Sequence, residues 1–376
     1  VDNRFANFDK VVVPYKKSPV TGDRVEGRLM KKFILRFAVI AAVLAFSATL
    51  ATAAPLTVKL AYNGPPDAES NAVHAFAVNF AKFVEEGTGG QIKMEFFPDS
   101  QLGTEEERME LLMKNGFNQP IINIASFAGV APVFPEIYAS AVPFMFDSYE
   151  AAHIFFDSSR YWKRAQETFR EKTGALLLEA VEEGGFLAFT NSKRPIHGPD
   201  DFKGLRFRAM DEGQIAIYQA FGASGTPIPW TELYMALKTG VVDGQMNPAM
   251  YIIIGSLYEV QKYMTLANIQ YSDQFLVVNG DLFDSLTPGQ QEVIVDAAKR
   301  ANIISRREVE AADAEQIEFL KEQGMEVYAP TEDEMNQFRE KGQSAYIEWV
   351  KSKAGDEWLN LALECAANAN EKAASQ

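Results

Sequence analysis

Five segments between Leu56 and Ala125 alternate between the strand period and the helix period, and that order limits the fold more than any other feature. Leu56–Tyr62 alternates apolar and polar residues as a half-buried strand does. Ser70–Glu86 places Val73, Phe76, Phe80, Phe83 and Val84 on one helical face, and Gly87, Gly89 and Gly90 end that helix. Gln91–Phe97 is a second strand, stopped by Pro98. Thr104 is placed to cap a helix running to about Lys114, with Glu105, Glu106 and Glu107 in its first turn, where the helix dipole favours negative charge. Ile121–Ala125 follows as a buried strand. A βαβαβ order predicts a largely parallel sheet.

A second alternating region begins near residue 175. Strands are expected at 175–180, 186–190, 205–210, 242–246 and 274–278, with helices at 213–221 and 231–238. Thr287 should cap a long helix reaching about Gln323, and helices at 332–350 and 358–369 finish the chain. No repeat, low-complexity tract or Pro/Ser-rich linker separates the two regions. The expectation is an α/β chain of two lobes joined by crossing strands, with a long C-terminal helix spanning the lobes.

The start of the chain has a different character. Lys31, Lys32 and Arg36 precede a mostly apolar run, Phe37 to Leu50, and Ala51-Thr52-Ala53 supplies small residues where a signal peptidase reads them. That order is the pattern of a secretory signal peptide, and the run is shorter than the roughly 20 apolar residues a spanning helix needs. Residues 30–53 are therefore expected to be a signal peptide removed after Ala53 or Ala54. Residues 1–29 lie upstream of Met30 and have no place in such a signal. Codons for Glu26-Gly27 can resemble a ribosome-binding site just before Met30, so 1–29 are expected to be an untranslated leader.

Removing residues 1–53 takes nine basic and four acidic residues from the 36 and 51 of the whole chain, leaving a net charge of −20. An acidic exported protein is a poor partner for nucleic acid, and it needs a local cation to hold an anion. Cys365 is the sole cysteine, so no internal disulfide forms.

Catalytic signatures are sparse. His74, His153 and His197 share no metal-ligand spacing, and no zinc-protease, nucleophile-elbow, Walker or EF-hand motif occurs. An acid–base pair such as Glu182 or Glu183 with Asp243 would be needed for an exported hydrolase or lyase. Solvated charge explains the glutamates more simply, and Asp243 suits a strand-to-loop turn. In the strand 205–210, Leu205 and Phe207 face one way and Arg206 and Arg208 the other.

Several motifs resemble one family: Thr190-Asn-Ser-Lys-Arg-Pro-Ile196, Phe202-Lys-Gly-Leu-Arg-Phe-Arg208, Glu232-Leu-Tyr-Met-Ala-Leu237, Val241-Val-Asp-Gly-Gln-Met-Asn-Pro248 and Tyr258-Glu-Val-Gln-Lys-Tyr263. Asn63-Gly-Pro-Pro66 and Pro98-Asp-Ser-Gln-Leu-Gly103 add to them. Across most of 55–370 the chain resembles the periplasmic solute receptors of TRAP (tripartite ATP-independent periplasmic) transporters. The resemblance implies a two-lobed periplasmic binding protein fold, with lobe I at 54–184 plus 273–312 and lobe II at 185–272 plus 313–370. It implies a monomeric, periplasmic receptor, without catalysis, cofactor or metal, that delivers a small organic carboxylate to membrane subunits by hinge closure. A ligand-sensing subunit of a signalling system with the same fold is the alternative.

By position, Arg208 matches the family arginine that pairs with the ligand carboxylate, for which a guanidinium offers two parallel N–H groups. A surface ion pair with Asp211 or Glu212 is the competing reading. Asn247 matches an asparagine beside that arginine, and Trp230 an aromatic packed on the ligand. Asn63 and Gln274 match further polar contacts, and Glu105 and Ser126 fall at the far end of the pocket. Leu187 stands where sialic-acid receptors carry a second arginine. With Phe186 and Trp230 it suggests a more apolar pocket, suited to a monocarboxylate with an apolar or aromatic body.

Overall fold

The computed structural model describes residues 14–17 and 54–375. The expected signal peptide and all but residues 14–17 of the expected leader lie outside the described residues. Among the described residues no helix is long and apolar enough to cross a membrane.

Two sheets organise the chain from residue 55 onward. Strands β1 (Leu56–Ala61), β2 (Ile92–Phe97) and β3 (Ile121–Ala125) run parallel, joined by helices α1 (Ala72–Gly87) and α2 (Glu105–Met113). Local chemistry sets these helix starts. The Asn71 side chain accepts from Val73 N at the head of α1. Thr104 and Glu107 form a reciprocal capping box at the head of α2. Phe76 and Phe80 of α1 are fully buried against the sheet with Leu60 and Ile124, each contributing roughly 1.5–3 kcal/mol by burial.

Helices α3 (Tyr149–Ser158) and α4 (Arg160–Thr173) lead into β4 (Leu176–Phe186), after which β5 (Ala188–Asn191) enters the second sheet. That sheet adds β6 (Arg206–Ala209), β7 (Ser224–Pro227), β8 (Gly244–Asn247) and β9 (Tyr263–Thr265), with helix α5 (Trp230–Lys238) between β7 and β8. Strand β10 (Tyr271–Val278) returns to the first sheet, and β11 (Glu326–Tyr328) closes the second. The strand orders are β2-β1-β3-β10-β4 and β11-β9-β5-β8-β6-β7.

The first sheet is mixed rather than largely parallel, because β10 comes back from the second sheet and pairs antiparallel with both β3 and β4. The break expected between strands 175–180 and 186–190 is absent. β4 continues for 11 residues, and only Leu187 separates it from β5. Glu182 and Glu183, expected to be solvated, are both buried and hydrogen-bonded within the continued strand. Gly185 has φ 91°, and a Cβ there would lie 2.3 Å from the Tyr149 hydroxyl, so glycine serves a close approach within the strand.

Helix α6 (Pro288–Glu322) is the long element, 35 residues with Thr287 and Gln290 as its capping box. Ile294 and Ala301 join the core of the first sheet, Val309 meets Ala72, Met250 and Tyr251 midway, and Leu320 joins the core of the second. It spans the lobes, but it is not C-terminal. A short helix, a π-type turn at Arg339–Gln343, α7 (Ser344–Ala354) and α8 (Asp356–Ala374) follow, so the helix expected over 332–350 is interrupted. Both α7 and α8 pack on Pro135–Ala141, α8 also on α3 and α4, and α7 on the helix Glu212–Ala220.

Candidate functional site

A cavity of about 180 Å³ gathers residues from both sheets: Asn63, Thr104 and Glu105 on one side, Arg208, Ile228 and Trp230 on the other. Arg208 is 3% exposed. Its Nε donates to the Ile228 carbonyl at 2.8 Å, and none of the ion pairs among the described residues involves it. The competing acids are occupied: Asp211 accepts from Gln214 N at 3.1 Å, and Glu212 pairs with Lys353 at 2.6 Å. Burial depresses the Arg208 pKa, opposed by Tyr218, Glu105, Asp211 and Glu183. Arg206, two residues earlier, is exposed and paired with Asp243 at 2.8 Å. A buried guanidinium with no carboxylate of its own is costly unless something in the cavity supplies one.

The opposite wall is held rigidly. Asn63 Oδ1 accepts from Ser100 Oγ at 2.8 Å and from Arg108 Nη2 at 3.0 Å. Glu105, 8% exposed, accepts from Ser126 N at 2.5 Å and from Ser126 Oγ at 3.0 Å. Gly129 lets α2 approach, since a Cβ there would lie 3.2 Å from the Glu105 Cβ. Trp230 opens α5 and packs edge-to-face on Tyr251, centroids 5.2 Å apart.

Arg108 was not singled out from sequence, yet it is fully buried, with Nε on Asn123 Oδ1 and Nη1 on the Gly103 carbonyl. The signal was present. Glu105, Arg108, Met109 and Leu112 are the buried residues of α2, at spacings 0, 3, 4 and 7.

Four expected site residues do not line this cavity; Ser126 is one of them, and it reaches the site only through its bonds to Glu105. Asn247 Nδ2 donates to Gln245 Oε1, whose Nε2 donates to Thr190 Oγ1 at 2.8 Å. Gln274 Nε2 donates to Glu183 Oε1 at 2.7 Å and to the Tyr251 hydroxyl at 3.1 Å, while its buried Oε1 has no partner. Leu187 lines a neighbouring void of about 20 Å³ with Glu183, Tyr271 and Asp273, and Phe186 lines neither. The apolar wall expected from Phe186 and Leu187 is therefore not part of the Arg208 cavity.

The acid–base pair required for catalysis is not assembled. Asp243 is engaged by Arg206, whereas Glu182 accepts from the Tyr271 hydroxyl at 3.0 Å and lies 2.8 Å from His153 Nε2. Glu183 accepts from Ser272 Oγ at 2.6 Å. These glutamates are buried, not solvated as expected, because strand β4 carries them between the lobes. Burial pushes the Glu183 pKa up to about 7 and also raises that of Glu182. His153 lies between Glu182 and Glu310, the latter 3.7 Å from Nδ1, so it ties α3, β4 and α6 together. A larger groove of about 620 Å³ runs between α4, β4 and α6, but its Arg170 and Arg306 are already paired with Asp284 and Asp157.

A polar cavity between two α/β lobes joined by crossing strands defines the class of two-lobed solute receptors. Residues 66–353 match the family described as bacterial extracellular solute-binding protein, family 7 (DctP), and the chain belongs to that family. It is a solute-binding protein of the TRAP type rather than an enzyme. The chain is 30% identical over 266 residues to the 2,3-diketo-L-gulonate-binding periplasmic protein YiaO of Escherichia coli (strain K12), covering 70% of this chain and 79% of that protein. Its fold matches the sugar acid binding protein DctPAm of Advenella mimigardefordensis strain DPN7T, solved with galactonate, at TM-score 0.77 and 29% identity over 84% of this chain and 99% of that one. A TRAP periplasmic solute-binding protein of Polaromonas sp. JS666 bound to D-erythronate matches at TM-score 0.74 and 30% identity, over 82% and 98% of the two chains.

Proposed function

We propose that this chain is an exported receptor for a small, hydroxylated monocarboxylate of the sugar-acid class, which it passes to TRAP membrane subunits. The observation that carries the reading is Arg208, a buried guanidinium facing the interlobe cavity and in no ion pair with any of the described residues. The ligand carboxylate takes that place, and closure of the lobes strengthens the pair by excluding water.

A cavity of about 180 Å³ suits a compact acid, and Asn63, Ser100, Thr104 and Thr231 on its wall favour hydroxyl groups over an aromatic body. The sugar-acid ligands of the relatives support the same class. Asn63, Glu105 and Trp230 contact the ligand, Ser126 holds Glu105, and Asn247 and Gln274 complete the polar shell behind them. Leu187 borders the site without reaching it.

Lobe I comprises 54–184 plus 273–312 and lobe II 185–272 plus 313–370, except that the last helix, α8, packs back onto lobe I, with the hinge in the crossing strands. Residues 30–53 direct export to the periplasm. A thermal-shift screen of the mature protein over C4–C7 acids tests the function. A sugar acid at 100 times its Kd should add about 2.7 kcal/mol of stability. Stabilisation by none of the carboxylates, or only by neutral solutes, would refute it.

A further inference from the structure

We propose that Glu105 sets the ligand class of the cleft, admitting hydroxylated monocarboxylates and rejecting dicarboxylates. The inference rests on the carboxylate-receptor reading of Arg208 and goes on to assign Glu105, on the wall of the same cavity that the first sheet supplies.

The charge layout is asymmetric. Among the residues lining the cavity, Arg208 is the one cation, and Glu105 and Glu106 are acids. Arg108 stands nearby but cannot serve a ligand. It is fully buried, and its Nε, Nη1 and Nη2 are all committed, to Asn123, the Gly103 carbonyl and Asn63. A dianion in the cavity therefore finds one guanidinium, and its second carboxylate meets Glu105 in a site with little water to screen the repulsion.

Glu105 also cannot swing away. Ser126 N and Ser126 Oγ each hold one of its oxygens, and Gly129 packs against its Cβ. Each carboxylate oxygen has a second lone-pair site, so the group can still accept from a donor on the ligand. A hydroxyl supplies such a donor and a carboxylate does not. The wall is thus attractive to one class and repulsive to the other, the two components from which specificity is built.

Calorimetry on the mature protein tests this with two acids of equal carbon number, D-erythronate and succinate. Wild type should bind erythronate at least tenfold more tightly than succinate. Glu105→Gln keeps the shape and an acceptor oxygen but removes the charge, and it should shrink that preference at least tenfold, chiefly by tightening succinate. An unchanged preference in Glu105→Gln, or succinate bound as tightly as erythronate by wild type, overturns the role of Glu105 while leaving Arg208 standing. Binding of neither acid at millimolar concentration overturns the underlying reading of the cleft, and this proposal with it. Thermal melts of the unliganded variant separate a folding defect from a change in preference, because Glu105→Gln should melt within a few degrees of wild type.

Discussion

Two regions of this molecule bury ionisable groups, and they settle them in opposite ways. In the cleft, Arg208 has the Ile228 carbonyl on its Nε, and among the described residues no carboxylate pairs with it. In the crossing strands, Glu179, Glu182, Glu183 and Asp273 are all buried, and most of their bonds are internal. Glu182 is held by Tyr271 and His153, Glu183 by Ser272 and Gln274, and Glu179 by Asn302. Burial raises the pKa of all four. One region keeps a charge waiting for a partner from outside. The other answers most of its buried polar groups from within, leaving Glu182 Oε1 and Asp273 Oδ2 without a partner, and joins the lobes.

The contrast makes different substitutions fail in different ways. Arg208→Ala should abolish most affinity, about 3–5 kcal/mol if the ligand carboxylate is left buried and unpaired, with the melting temperature of the free protein little changed. Calorimetry beside a thermal melt reads both quantities, and unchanged affinity would break the distinction. Glu182→Ala should do the reverse. It strands the Tyr271 hydroxyl and His153 Nε2, at roughly 1–3 kcal/mol for each buried group left unsatisfied, and should appear as lost stability in chemical denaturation.

Smaller effects sharpen the comparison. Glu179 and Glu183 rise from 4.5 to about 7, and Asp211 from 3.8 to about 6, each because of burial. The folded state then holds protons that the unfolded chain releases at lower pH. The stability these groups confer is full below about pH 4 and is lost as pH rises towards 7. Denaturation midpoints should fall between pH 5 and pH 7.5, and Glu183→Gln should flatten that slope. Smallest of all, Ser126→Ala removes one hydrogen bond to Glu105 and a helix cap, at roughly 1 kcal/mol, and should relax acid selectivity only a few-fold.

Much of the local structure was legible in the sequence. Thr104 with Glu107 and Thr287 with Gln290 mark two helix starts, and Ile121–Ala125 announces a fully buried strand. What escaped was decided by partners distant in the chain. β10 runs antiparallel because it returns from the other lobe, and β4 continues through two glutamates because Ser272, Gln274 and Tyr271 satisfy them. Of the site, Asn63, Glu105, Arg208 and Trp230 share one cavity, and strand alternation alone turned Arg208 away from Phe207. Leu187 was drawn into the site by resemblance, but a shift of one residue along a crossing strand exchanges the faces, and Leu187 borders a different void.

The central claim is that Arg208 waits for a carboxylate. The most direct test compares the tightest acid from the screen with its primary amide, which keeps the shape and loses the charge. Titration of the wild-type receptor should show the amide bound at least a hundredfold more weakly, and acid and amide bound alike would contradict the account.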